Sequence, residues 1–196
     1  MIAISESQEN AISFPQMHRG SAYPDHTPSS PTVLSLPHPF CRGDLLNAEV
    51  LIGYAREIRD EVLEHAFVFD QQGRLLKKLI GERTRIQFGQ RDLFSLTNTI
   101  FLHNHPRSSS FSLADLECAC VFEMRSMMVV SGDEIHILLP PAADEYFSRR
   151  LLRDIVRCFW IRSHLQPLSH QMKPYDGVWK LIASDLGLLL YTVRID

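Results

Sequence analysis

Residues 98–140 hold a fixed succession of short apolar runs, each closed by a turn or a cap. NTIFLHNH (98–105) reads as a buried strand that runs straight into two histidines. Pro106 ends that strand, and RSSSF (107–111) follows as a short polar loop. Ser112 opens a helix, and FSLADLECACVFEMRS (111–126) continues at helical spacing. MMVVS (127–131) and EIHILLP (134–140) then form two strands around SGDE. A chain with this order must pack helices against a sheet.

The flanking segments extend the pattern. GDLLNAEVLIGYAREIRDEVLE (43–64) has apolar residues at helical spacing (Leu45, Val50, Ile52, Ile58, Val62) and Asp44 as N-cap. HAFVFDQQGRLLKKLIG (65–81) reads as a hairpin turned at DQQG, TRIQF (84–88) as a third strand and RDLFSL (91–96) as a helical turn. AADEYFSRRLLRDIVRCFWIRSHL (142–165) is a long helix. DGVWKLIASDLGLLLYTVRID (176–196) is a helix that breaks near Gly187 and ends extended. The expected class is α+β, a mixed β-sheet packed between helices. Residues 1–42 are rich in Pro, Ser and His without a sustained period and read as a flexible or extended arm. Residues 43–196 form the expected domain, with a C-terminal helical extension.

At 196 residues the chain suits one domain with an appendage. It is 45% hydrophobic and 22% charged, as globular chains are. A net charge of −3 gives no broad basic surface for nucleic acid, although Arg149, Arg150, Arg153 and Arg157 cluster in one segment. The four cysteines (Cys41, Cys118, Cys120, Cys158) form no CxxC, which points to free thiols and a cytoplasmic setting. MIAISESQENAISF has neither a basic start nor a long apolar core, so no signal peptide is expected. No apolar run is long enough to span a bilayer, so no membrane partner is expected either.

The chemistry concentrates in HNHPRSSSFSLAD (103–115). Strand residues i and i+2 face the same way, so His103 and His105 point into one space. Asp115 sits in the first turn of the following helix and faces back towards the strand end. Three ligands with a fourth position left open match a catalytic zinc site better than a structural one. A plainer reading exists for each part. An HxH pair can be a polar strand end, and Ser112-x-x-Asp115 can be a capping box. Both features fall in one strand-loop-helix unit, and a cap alone does not explain two histidines delivered to the same place.

HNHPRSSSFSLAD resembles the signature of the JAMM (MPN+, JAB) zinc metalloproteases: H-x-H-P, a loop, then S-x-x-D. The HNHP form is most similar to the bacterial and phage branch, including RadC-like proteins. The resemblance spans residues 60–140. It implies a JAB/MPN-like, cytidine-deaminase-like three-layer fold and one Zn²⁺ held by His103, His105 and Asp115. It implies Ser112 as a helper at the oxyanion or at the water. It also implies a glutamate from an earlier strand, to take a proton from water and return it to the leaving amine. Glu57, Glu61, Glu64 and Glu82 are the candidates, and Glu64 is chosen because it directly precedes HAFVF and its D-x-x-G turn. Glu57 and Glu61 read instead as a solvated helix face. One departure stands out: six residues separate His105 from Ser112, where the family usually has seven.

The implied activity is hydrolysis of an amide or isopeptide bond in a protein or peptide substrate, such as a ubiquitin-like or other C-terminal tail. The alternative is a JAMM-like scaffold or assembly module in a DNA-associated or phage-related complex. A remoter one is hydrolysis of a phosphodiester. The letters HNH do not make an HNH nuclease, whose residues are spread over a longer unit. His65 is a candidate second neighbour of the metal, His136 a strand residue, and Cys118 and Cys120 helix packing.

Overall fold

The computed structural model describes residues 12–13, 48–89, 93–106, 109–165 and 176–195. Its elements begin with β1 (Ile12–Ser13), α1 (Ala48–Ile58), β2 (His65–Phe69), β3 (Leu75–Ile80), β4 (Gln87–Phe88) and β5 (Ile100–Asn104). They continue with α2 (Leu113–Val121), β6 (Ser126–Ser131), β7 (Glu134–Leu139), α3 (Arg149–Leu165), α4 (Asp176–Leu186) and β8 (Leu189–Arg194). Six strands form one mixed sheet in the order β3-β2-β5-β6-β7-β8. Its only parallel pair is β5–β6. Helix α2 supplies the crossover that a parallel pair needs. The chain is therefore α+β.

Alternation along the strands sends side chains into two cores. On one face Phe67, Phe69, Leu102, Met128 and Ile137 pack with Leu51, Ala55 and Ile58 of α1. On the other, Ala66, Val68, Phe101, Met127 and Val129 pack with Leu116, Ile155, Phe159 and Trp179 of the remaining helices. The sheet thus lies between α1 and a layer of α2, α3 and α4. Strands buried on both faces read as continuous apolar runs, which is why HAFVF and IFLHN lack a polar alternation.

The hairpin forms as expected. Asp70 Oδ1 accepts from the backbone N–H of Gln72 and of Arg74, both at 2.9 Å, and Gly73 takes a φ of 77°. At the other end of the chain, Gly187 at φ 68° closes α4 and lets the chain turn into β8.

Several local expectations are corrected. The first helix stops at Ile58, so Glu61 lies beyond it, and the buried stripe is Leu51, Ala55 and Ile58. Val50 and Val62, expected on the apolar face, are exposed. TRIQF yields only the two residues of β4, which pair with β1 outside the main sheet. Of RDLFSL, Arg91 and Asp92 lie outside the described residues, and Leu93 begins a turn. The extended end after Gly187 is β8, hydrogen-bonded along β7. Asp44, Leu45, Cys41 and all of residues 1–42 except Ile12 and Ser13 lie outside the described residues. Among the described residues, no helix is long and apolar enough to cross a membrane.

Candidate metal centre

Strand register places the site. Ala66 of β2 is opposite His103 of β5, so Glu64, one step before β2, comes opposite His105 on the same face of the sheet. From the next element, α2 brings Asp115 in its first turn. The three side chains converge. His103 Nε2 lies 2.9 Å from His105 Nε2 and 3.2 Å from Asp115 Oδ1. His105 Nε2 lies 3.5 Å from Asp115 Oδ2. All three residues are buried, and so is Glu64, at 2% exposure. Glu64, His103 and Asp115 line a cavity of about 30 Å³, with Phe101, Cys118 and Met127 as its apolar wall. That is room for a water molecule.

Outer contacts fix these groups. His105 Nδ1 lies 3.0 Å from both the carbonyl oxygen and the Oγ of Ser109. A carbonyl only accepts, so Nδ1 carries the hydrogen and Nε2 turns its lone pair into the cluster. Asp115 is held by the capping box: its Oδ2 accepts from the Ser112 N–H at 2.6 Å, and its own N–H donates to Ser112 Oγ at 3.2 Å. The cap and the ligand set are therefore one structure. One carboxylate oxygen closes the helix end while the other faces His103.

Asn104 was not singled out in the sequence because it faces away from its two histidine neighbours. It is fully buried on the α1 side. Its Nδ2 donates to the carbonyls of Glu61 (3.2 Å) and Leu63 (3.1 Å), and its Oδ1 accepts from the His65 N–H at 2.6 Å. The residues on both sides of Glu64 are thus pinned to β5. Glu64 itself donates its N–H to Glu82 O (2.8 Å) and accepts from the Gly81 N–H (2.7 Å). A Cβ at Gly81 would collide with the Arg85 carbonyl, so this turn requires glycine.

The charges follow from the geometry. Burial pushes the Glu64 carboxyl up to about 7, with His103 opposing and Asp115 adding to the rise. Burial works against a charged His103, but Asp115 and Glu64 outweigh it and hold its pKa above the ordinary value. His105 is pushed down to about 4, mainly by burial, against the pull of Asp115. Burial would raise Asp115, yet the two histidines hold its carboxyl well below the usual range. Two acids lining one cavity are thus driven in opposite directions, as where one is to carry a proton and the other a fixed charge.

The other glutamates are elsewhere. Glu57 pairs with Lys78 at 2.5 Å, and Glu82 with Arg85 at 2.8 Å, both at the surface. The Glu61 carboxylate is exposed, 3.9 Å from His65 Nε2. His65 is next to Asn104 by register and so belongs to the opposite face of the sheet from His103; it is not a neighbour of the cluster. Cys118, expected as helix packing, is that and also part of the cavity wall. Burial raises its thiol well above the ordinary pKa and that of Cys120 to about 12, so neither offers a thiolate.

The donor set fits a cation. Ligand bonds of about 2.0–2.1 Å in a tetrahedron put donor atoms about 3.3 Å apart. The two histidine nitrogens are 2.9 Å apart, and each has a carboxylate oxygen of Asp115 near that distance, Oδ1 at 3.2 Å from His103 and Oδ2 at 3.5 Å from His105. His103, His105 and Asp115 together therefore form a group able to bind one metal ion. In comparisons with known proteins, no family model, no curated protein and no solved structure matches the chain.

Proposed function

We propose that the chain is a zinc-dependent metallopeptidase or isopeptidase of the JAMM type. The observation that carries this reading is Glu64: a buried acid, raised to about 7, sharing a water-sized cavity with two of the three metal donors. Zn²⁺ in such a site acts as a Lewis acid and brings the pKa of a bound water to about 7. Glu64 takes a proton from water and hands it to the leaving amine, a task for which a pKa near the working pH is best. Ser109 keeps the Nε2 of His105 on the cluster. Ser112 holds Asp115 through its lone pair, and its hydroxyl proton is left to donate to the oxyanion. A protein or peptide amide, including the isopeptide of a ubiquitin-like tail, is the substrate class.

Support comes from the agreement of the HNHP…S-x-x-D pattern with a mixed sheet clad by helices on both faces, the arrangement that a JAB/MPN-like fold implies. That support is an analogy of fold and motif. The scaffold alternative shares the fold but gives no reason to bury an acid beside the cluster, where it costs stability. Two histidines and one carboxylate also serve iron(II) in oxygenases. The neighbouring proton carrier favours hydrolysis.

The experiment pairs metal analysis with proton-carrier loss. Purified protein is expected to hold about one zinc, absent in His103→Ala. Glu64→Gln is expected to keep the zinc and lose cleavage of a peptide and isopeptide library. Protein free of zinc after purification and after zinc titration, or full cleavage by Glu64→Gln, overturns the reading.

A further inference from the structure

A second cavity, of about 320 Å³, opens on the same face of the sheet as the metal cluster. The register runs His103–Val129–His136–Thr192 across β5, β6, β7 and β8. His136 and Thr192 line this cavity, so it begins two strands from His103, roughly 10 Å away at about 4.8 Å per strand. The two sites share a wall. Ser109 contacts His105, while the next residues, Ser110 and Phe111, line the cavity.

We propose that this cavity is a carboxylate-binding subsite. It takes the terminal or side-chain carboxylate of a peptide, about three residues of extended chain from the metal cluster at about 3.3 Å per residue. The separation in residues rests on the peptidase reading above; the carboxylate site does not.

Three features specify the ligand. The Ser110 side chain is 4% exposed, lines the cavity, and its hydroxyl has no hydrogen-bond partner. A buried hydroxyl left so is a cost that a ligand acceptor relieves. Lys180 stands at the exposed side of the cavity with no ion pair among the described residues. By contrast, Glu134, the acid in the lining, faces His136 Nε2 at 3.7 Å. One ammonium and the unpartnered Ser110 hydroxyl, beside the Glu134 carboxylate and a Thr192 hydroxyl that contacts His136 Nδ1 at 3.4 Å, suit a monoanion better than a phosphate dianion. Trp179 adds a fixed apolar wall, because its indole N–H donates to Phe111 O at 2.6 Å. That wall accommodates the carbon skeleton next to the carboxylate.

Binding is tested on the full chain without metal, so turnover does not enter. The chain has two tryptophans. In a Trp160→Phe background, fluorescence therefore reports Trp179 alone. The probes are acetyl-Ala-Ala-Leu with a free carboxylate, the same peptide as its carboxamide, and acetyl-Ala-Glu-Leu carboxamide. At least one carboxylate peptide is expected to bind saturably, with the neutral carboxamide about tenfold weaker or more. Lys180→Met and Ser110→Ala are each expected to weaken it by a similar factor. Preference for the free terminus assigns the end of a chain, and preference for the glutamyl peptide assigns an internal acid. Absence of saturable binding, equal binding of the neutral carboxamide, or undiminished affinity in Lys180→Met overturns the proposal. A chain that binds the carboxylate but holds no zinc retains this site and loses the peptidase reading.

Discussion

Asn104, on β5, and Glu64, just before β2, face opposite sides of the sheet, yet Asn104 holds the chain on both sides of Glu64, through Leu63 O at 3.1 Å and the His65 N–H at 2.6 Å. Replacing Asn104 with Ala leaves the buried His65 N–H unpaired, at about 1–3 kcal/mol, and turns the part-buried carbonyls of Leu63 and Glu61 over to water. Asn104→Asp keeps the acceptor for His65 but sets a carboxylate against two carbonyls. Both variants are expected to lower the urea midpoint, with Asp the worse at neutral pH. Zinc stoichiometry in the folded fraction should survive, because neither change touches a donor. A wild-type midpoint in Asn104→Ala would show that water replaces the clamp.

Glu64 makes the metal-free protein less stable as pH rises. Its folded pKa, about 7, is above the ordinary 4.5, so the folded state binds the extra proton between these values. Stability is full below pH 4.5 and falls through 7. The shift corresponds to about 3 kcal/mol at 1.36 kcal/mol per unit. Glu64→Gln should abolish this slope, matching wild type in acid and exceeding it above pH 7. Denaturation at a series of pH values measures it, and parallel curves for the two proteins would contradict the burial of a charge.

Metal affinity should fall as pH falls. A proton on His103 competes with the ion, and because its pKa is raised, the loss begins at a higher pH than an ordinary histidine would set. His105, pushed down to about 4, adds nothing until acid conditions. Zinc at a hundredfold excess over its Kd should stabilise the fold by about 2.7 kcal/mol, and a chelator should remove that gain. Competition titrations from pH 5 to 8 on the wild-type chain check the assignment, and an affinity that starts to fall only below 6.5, the ordinary histidine value, would contradict it.

Ser112→Ala separates capping from chemistry. Loss of the acceptor for the Asp115 N–H should cost about 1 kcal/mol. Asp115 Oδ2 keeps the Ser112 backbone N–H, so zinc should be retained with weakened affinity. If Ser112 also supports the oxyanion, cleavage should fall by about a hundredfold or more, beyond what the stability change explains. Ser112→Thr, which keeps a hydroxyl and a cap, should recover much of both.

The metal donors were legible because their placement is local. Alternation along β5 and the first turn of α2 fix His103, His105 and Asp115 within thirteen residues. Glu64 was legible only through the family pattern, since its facing depends on pairing with β5, far along the chain. Asn104 and Ser109 carried no signal: one side chain faces the other core, and the other acts from a loop. The same limit explains α1. Val50 and Leu51 are equally apolar, and the sheet beneath decides which is buried. LLYTVR read only as an extended end because nothing within it names β7 as its partner.

The capping box has a further consequence, for the order of folding. The donors lie in one strand-loop-helix segment, closed by a short loop and a self-contained helix cap, and such segments assemble in microseconds. Glu64 joins only after β2 finds β5, a contact between distant parts of the chain that forms later. On the peptidase reading, the metal donors would therefore come together before the proton carrier joins them, and hydrolysis would wait for the sheet to close.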